Sequence, residues 1–275
     1  MPATRQALRL EDEYGRRVGR LWRRVARTVL AQFDGLDSAN LRSAFATFVA
    51  GATATVELGQ LEAQRLAAAF VEQYVEVEAS RAFRAAPTGD GITGTTRAGD
   101  SLRLALTGAT GMAWRALGTG RPVGMALAIA RAQVARTVSQ AVSSAADREL
   151  EHQAERQPVL MTGWERVPAG DACIACLADT GGDPRPWSES MLEHPHGDCV
   201  RSPVLVGVPE RVARPTGDEL FRGLSRAQQE ATFRHAGAEK AALIRAGEAS
   251  LADFVVRDRT AAGTVITEAP LEAVA

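Results

Sequence analysis

Lysine is almost missing from this chain. Lys240 is the only one among 32 basic residues, so nearly every positive charge is an arginine. Folding does not demand that bias; coding in a GC-rich genome is its simplest source. Aromatic residues are also scarce, at 5%, although 45% of the chain is hydrophobic. With alanine abundant, that composition favours Ala-rich helices, because alanine has the best intrinsic helix propensity. Net charge is close to absent: the formal value of −1 excludes an electrostatic DNA clamp formed by the whole chain. Arg16, Arg17, Arg20, Arg23, Arg24 and Arg27 still cluster near the N-terminus. Such a cluster reads first as a solvated helix face, and second as a patch for nucleic acid or phosphate.

The 43–56 and 104–114 stretches are the longest uncharged, apolar-leaning runs. Both are too short for a bilayer of about 30 Å, which takes about 20 helical residues. No membrane role is expected. Residues 1–13 are polar and charged, unlike a signal peptide. There are only three cysteines, an odd number that rules out a closed set of disulfides within the chain. A reducing cytoplasm is the expected place of synthesis, where thiols bind metals more readily than they pair. No Ser-His-Asp order, GxSxG elbow, HExxH or Walker motif occurs.

What is present is mostly helical pattern. Leu10, Tyr14, Val18, Leu21, Trp22, Val25, Val29 and Phe33 recur at spacings of three and four, one face of a helix. Asp34-Gly35-Leu36-Asp37-Ser38 stops that helix and restarts another, with Ser38 the expected N-cap. The second helix is expected over 39–86, with a break near Gly51 or Gly59. The stretch APTGDGITGTTRAGD is a Gly/Thr-rich linker over 87–100; it lacks the Gly-Lys-Ser/Thr ending of a phosphate loop. Helix resumes at 101–117. Pro122 then opens a long helix over 123–153, with Met125, Ile129, Val134, Val138 and Val142 as its apolar stripe.

After Pro158 the pattern changes. PVLMTGWERVPAG and SPVLVGV read as two short strands around the cysteine window. Beyond them, Ser225 and Gln228 form a capping box, and Gly247 sits where a helix ends. The last residues, AAGTVITEAPLEAVA, show no periodicity and are expected as an extended arm. The expected fold is thus mostly α (α+β): long amphipathic helices, a small two-stranded β/zinc knuckle and a helical C-terminal extension. Its divisions are an N-terminal helical region 1–86, the linker 87–100, a helical core 101–158, the knuckle 159–210, the extension 211–259 and the tail 260–275.

All three cysteines, Cys173, Cys176 and Cys199, and two of the four histidines, His194 and His196, fall within residues 171–201. Cys173-Ile-Ala-Cys176 sets two sulfurs on one tight turn, able to reach one ion at Zn–S distances of about 2.3 Å. Cys199 and either His194 or His196 would complete a tetrahedral Cys3His set, for which zinc is the natural occupant. A structural clip is the preferred reading. A metal-free packed knuckle, a CxxC redox pair and a catalytic zinc with Glu189 or Glu193 as base are the alternatives. The redox pair lacks its βαβ surroundings, and the catalytic zinc would require an open ligand position. Trp164 and Trp187 flank the CxxC and are expected to pack over it; His152 and His235 are expected at the surface.

Gly163-Trp164, DACIACLADTGG and HPHGDCVRSPVLV, preceded by the Ala/Arg-rich helix ARAQVARTVSQAVSSAADR, resemble the signature segment of phage head-morphogenesis proteins, the Mu F-like minor capsid family. The resemblance spans roughly residues 122–259, and the tail is similar to extensions in members from phages of actinobacteria. Members often end in His-Pro-x-Cys-Arg-Cys; here Gly197 stands at the first of those cysteines and Cys199 at the second. The resemblance implies a structural protein inside the phage head near the portal, present in several copies and assembled in the host cytoplasm; no enzyme is expected, since helices, knuckle and tail account for the length. It implies binding to the portal protein and to the major capsid protein or scaffold; the alternative, read from the Arg16–Arg27 face, is an adaptor that binds packaged DNA.

Overall fold

In a computed structural model, the structure describes residues 2–88, 91–168, 172–181, 184–189, 191, 199–208, 215–260 and 263–271. The fold is mostly α with small β additions, as expected. The chain forms two compact units, one of residues 16–72 and 84–153, the other of residues 1–15, 73–83 and 154–275.

The first unit is built from long helices: α1 (Pro2–Asp34) from residue 16 on, α2 (Leu41–Ala79) up to residue 72, α3 (Leu102–Gly118), and α4 (Val123–Arg156) up to residue 153. In α1 the expected stripe is buried at Val18, Leu21, Trp22, Val25, Val29 and Phe33. The cap differs from the one expected: Asp37, not Ser38, accepts the Ala39 N–H at 2.9 Å and starts the short 3-10 turn Ser38–Asn40. Nor does α2 break at either glycine. A Cβ at Gly59 would lie 2.8 Å from Val25 and 3.3 Å from Val142, so the missing side chain lets α1 and α4 approach α2 closely. Tertiary packing of this kind supports a helix more than propensity does.

In α4 the buried stripe is Ala126, Ala130, Val134, Val138, Ala141, Val142 and Ala145. Met125 is 49% exposed, off the stripe expected for it. Phe33, Phe45, Phe48 and Trp114 join α1, α2 and α3 through ring contacts of 5.2–6.2 Å. The described part of the expected linker is a tethered loop. Ile92 is fully buried, and Gln60 accepts from the Gly94 N–H at 2.8 Å while donating to Thr95 O at 2.7 Å. Arg148 donates to Thr95 Oγ1 and Gly91 O, and burial pulls its pKa below the usual arginine value. At the other end of the loop, the buried Glu149 takes the Thr88 N–H and the Gln153 amide.

The second unit carries two separate two-stranded sheets. β1 (Met161–Val167) pairs antiparallel with β2 (Val200–Leu205), two residues earlier than the expected second strand; Trp164 faces Pro203 and Arg166 faces Arg201. Between them lies the short helix α5 (Ile174–Ala178). The helices α6 (Gly217–Gly223), α7 (Arg226–Ala231) and α8 (Gly237–Ala246) follow. Thr216 and Ser225 both form capping boxes, the latter with Gln228 as the sequence indicates, and Gly247 ends α8 at φ 76°. A Cβ at Gly217 would collide with the Leu177 carbonyl, so only glycine lets α6 start against α5.

The end of the extension expected as helical is instead a strand, and it pairs with a strand in the stretch expected as an extended tail. β3 (Val255–Thr260) pairs antiparallel with β4 (Gly263–Glu268). β-branched residues dominate β4, and its last residue ties it to the unit. The fully buried Lys240 donates to Glu268 Oε1 and to Ala269 O, each at 2.6 Å. Lys240 also lies over the rings of Phe233 and Phe254; Phe233 edge-stacks with both Phe254 and Phe221 in a core completed by Ile174, Leu177, Ile244 and Leu251.

Candidate metal centre

The β1–β2 ladder positions the candidate site. β1 accepts a third segment on its other edge: Trp164 N–H donates to Arg185 O at 2.8 Å, and Arg185 N–H donates back to Trp164 O at 2.9 Å. Gly163 permits that approach, because a Cβ there would collide with Arg185 O. Trp164 is completely buried, and its Nε1–H donates to the Pro186 and Glu189 carbonyls at 3.1 Å. The guanidinium carbons of Arg185 and Arg201 lie 5.4 and 4.8 Å from its ring centroid. Of the two tryptophans flanking the CxxC, Trp164 is the core residue; Trp187 is half-buried.

Residues of like periodicity in a strand share a face, so Arg166 follows Trp164 toward the same side. Arg166 is 4% exposed and donates to Asp179 Oδ2 at 3.0 Å, while Arg185 donates to Asp179 Oδ1 at 2.5 Å. Both side chains of the Arg166–Asp179 pair are 2% exposed. Asp179 thus gathers two arginines from β1 and the segment beside it. Removing any one partner of this buried cluster would strand the rest. On the opposite face of the ladder, Ser202 donates to the carboxylate of the buried Glu11.

The thiols lie alongside this charge cluster. Cys173 occupies the N-cap position of α5, Cys176 sits inside that helix, and Cys199 immediately precedes β2. None is in a disulfide. Cys173 Sγ and Cys176 Sγ are 3.7 Å apart, and Arg166 donates to Cys176 Sγ at 3.7 Å. Hydrogen bonds shared first with Cys173 and then with Cys199, together with burial, push the Cys176 thiol well above the ordinary range; Arg166 opposes the shift. Among the described residues no group of three or more His, Cys, Asp or Glu side chains is placed to hold a metal ion. Cys173 and Cys199 each meet Cys176, while His194 and His196 lie outside the described residues.

The Cys173–Cys176 thiol pair has a spacing that a zinc ion accepts. Two thiolates on one tetrahedral zinc, with bonds of about 2.3 Å, sit about 3.8 Å apart. The Cys173–Cys176 spacing falls there, and an N–H donor to sulfur is a usual outer contact of such sites.

The sequence singles out the cysteines but not Arg166, Asp179 and Arg201, the buried charges beside them. A signal existed: both arginines occupy strand positions in phase with core residues. His235 is exposed, as expected, and its N–H donates to Glu268; His152 is half-buried, with Nδ1 at 3.3 Å from Thr88 Oγ1. Glu189 accepts from Arg185 at 3.1 Å in an ion pair, and Glu193 lies outside the described residues. Among the described residues no helix is long and apolar enough to cross a membrane. Comparison of the chain with protein-family models, curated proteins and solved structures finds no match.

Proposed function

We propose that this chain is a structural minor capsid protein of a tailed bacteriophage, of the head-morphogenesis type, acting by binding and not by catalysis. The observation that carries the reading is the meeting of Cys173 and Cys199 at Cys176, from either side of a long excursion between β1 and β2. That arrangement agrees with the spacing CxxC…HPHGDC and with the Trp-bearing strand before it, the features shared with the Mu F-like family. Cys173, Cys176 and Cys199, with His194 or His196, would hold the ion. Zinc would supply a cross-link there; among the described residues the acids Asp179 and Glu189 are each paired with Arg185. Segments of about 40 residues rarely fold without such a clip.

The binding surfaces lie elsewhere. Leu104 is 70% exposed, Trp114 45% and Met125 49%, all on α3 and the start of α4, and side chains of this kind are enriched where proteins meet. The partners are the portal protein and, at the inner capsid, the major capsid protein or scaffold. The protein works inside the head near the portal, in several copies, after assembly in the host cytoplasm. Co-purification with the portal protein tests the reading, together with elemental analysis. The expected result is a portal complex and about one zinc per chain. No association with portal or procapsid at any salt concentration would overturn the capsid assignment, and a metal-free native protein would overturn the clip.

A further inference from the structure

From Arg16 to Arg27 helix α1 carries no acidic residue. Arg17, Arg20, Arg24 and Arg27 recur at intervals of three and four, so they form one stripe of α1. The stripe borders an open groove of about 550 Å³, which Arg23 and Glu62 also line. Glu62, on α2, is the only carboxylate in that lining, and Arg24 already holds it at 2.5 Å. Among the described residues, five guanidinium groups and one carboxylate line this groove.

We infer that this groove binds the phosphate backbone of duplex nucleic acid, without reading its sequence. Ten residues of helix span about 15 Å, and one strand of B-form DNA offers a phosphate every 3.4 Å of axis, so the stripe matches about four phosphates. Arginine suits the task, because its planar fork bonds phosphate oxygens in pairs. A lipid surface fits less well. The apolar side of this helix, at Leu21, Trp22 and Val25, is buried in the protein's own interior and is not available for insertion. The inference is independent of the zinc clip and of the portal assignment.

Fluorescence anisotropy of a labelled 30-base-pair duplex with the full chain tests it. Four phosphate contacts give a log–log salt slope of about −3.6, so affinity should fall about a hundredfold between 50 and 200 mM salt. The variant R17A/R20A/R27A leaves the Arg24–Glu62 pair in place. It should weaken binding at 50 mM salt and cut the slope to about −1. E62Q, which removes the groove's carboxylate without touching its arginines, should tighten binding roughly threefold. The inference is overturned if the duplex does not bind at 50 mM salt. It is also overturned if the triple variant binds like the wild type while melting at the same temperature, or if E62Q fails to tighten binding. Stronger binding at equal salt to phosphatidylglycerol vesicles or to polyglutamate than to the duplex would assign the groove to a membrane or an acidic chain, and would overturn it too.

Discussion

The two strand pairs of the second unit have similar ladders and opposite origins. β3 and β4 are separated in the chain by residues 261–262 alone, whereas β1 and β2 are separated by residues 168–199. That is four doublings of loop length, which adds about 2.4 kcal/mol of closure entropy to the second case. Two-stranded pairs are marginal in either case. The local pair is held at its end by Lys240 on Glu268. The long-range pair has a buried tryptophan, a buried Arg166–Asp179–Arg185 cluster and the Cys173–Cys176 thiol pair beside it. The more chain a ladder must close, the more cross-links its surroundings supply.

Removing a sulfur from the long-range pair should have the largest effect. Under the clip reading, Cys176→Ser destabilises the unit by about 4 kcal/mol or more, since loss of a structural metal forfeits folding energy directly. Thermal unfolding and metal content would report it. A shift below about 1 kcal/mol would make the thiols a packed cluster without a metal. Amide exchange in β3 and β4 should stay slow in the same variant, which would separate the two pairs experimentally.

Trp164→Ala comes next, at about 3–4 kcal/mol in denaturant unfolding, because it empties a fully buried site. It also removes the ring beneath Arg185 and Arg201. Unlike Cys176→Ser, it should leave the metal content near that of the wild type if the sulfurs alone organise the site.

The local pair should respond to Lys240→Met by about 3 kcal/mol, the low end for breaking a buried pair, because Glu268 keeps the Arg234 and His235 N–H groups. This contact also sets a pH dependence. Burial would raise the Glu268 carboxyl, but Lys240 and those two N–H groups outweigh it and hold it below the usual carboxylate value. A carboxylate depressed on folding stabilises above its unfolded value of 4.5 and loses that contribution as pH falls below it. Lys240→Met should therefore flatten the acid side of the stability profile, measured by urea unfolding between pH 3 and 7. An acid limb as steep as that of the wild type would assign it to other carboxylates.

Much of the first unit was legible in the sequence, because a helix writes its buried face at a fixed period. The α1 stripe and the Ser225–Gln228 box are such local features. The break expected at Gly59 failed for the opposite reason. A glycine's cost is local, but its benefit at Gly59 comes from Val25 and Val142, which are remote in the chain. Similarly, AAGTVITEAPLEAVA shows no period because one strand of it is short, and its anchor is a lysine on α8.

The cysteine window divides the same way. Residue identity and spacing alone determined that three sulfurs were available, two of them on one turn. Only the tertiary structure decided that Cys199 reaches Cys176, that Arg166 lies against its sulfur, and that Asp179 is buried between arginines. The physical reason is range. Helical period, caps and a CxxC turn are set by neighbours a few residues away. A buried charge or a closing thiol is set by whatever the folded chain brings to it, and no local pattern encodes that.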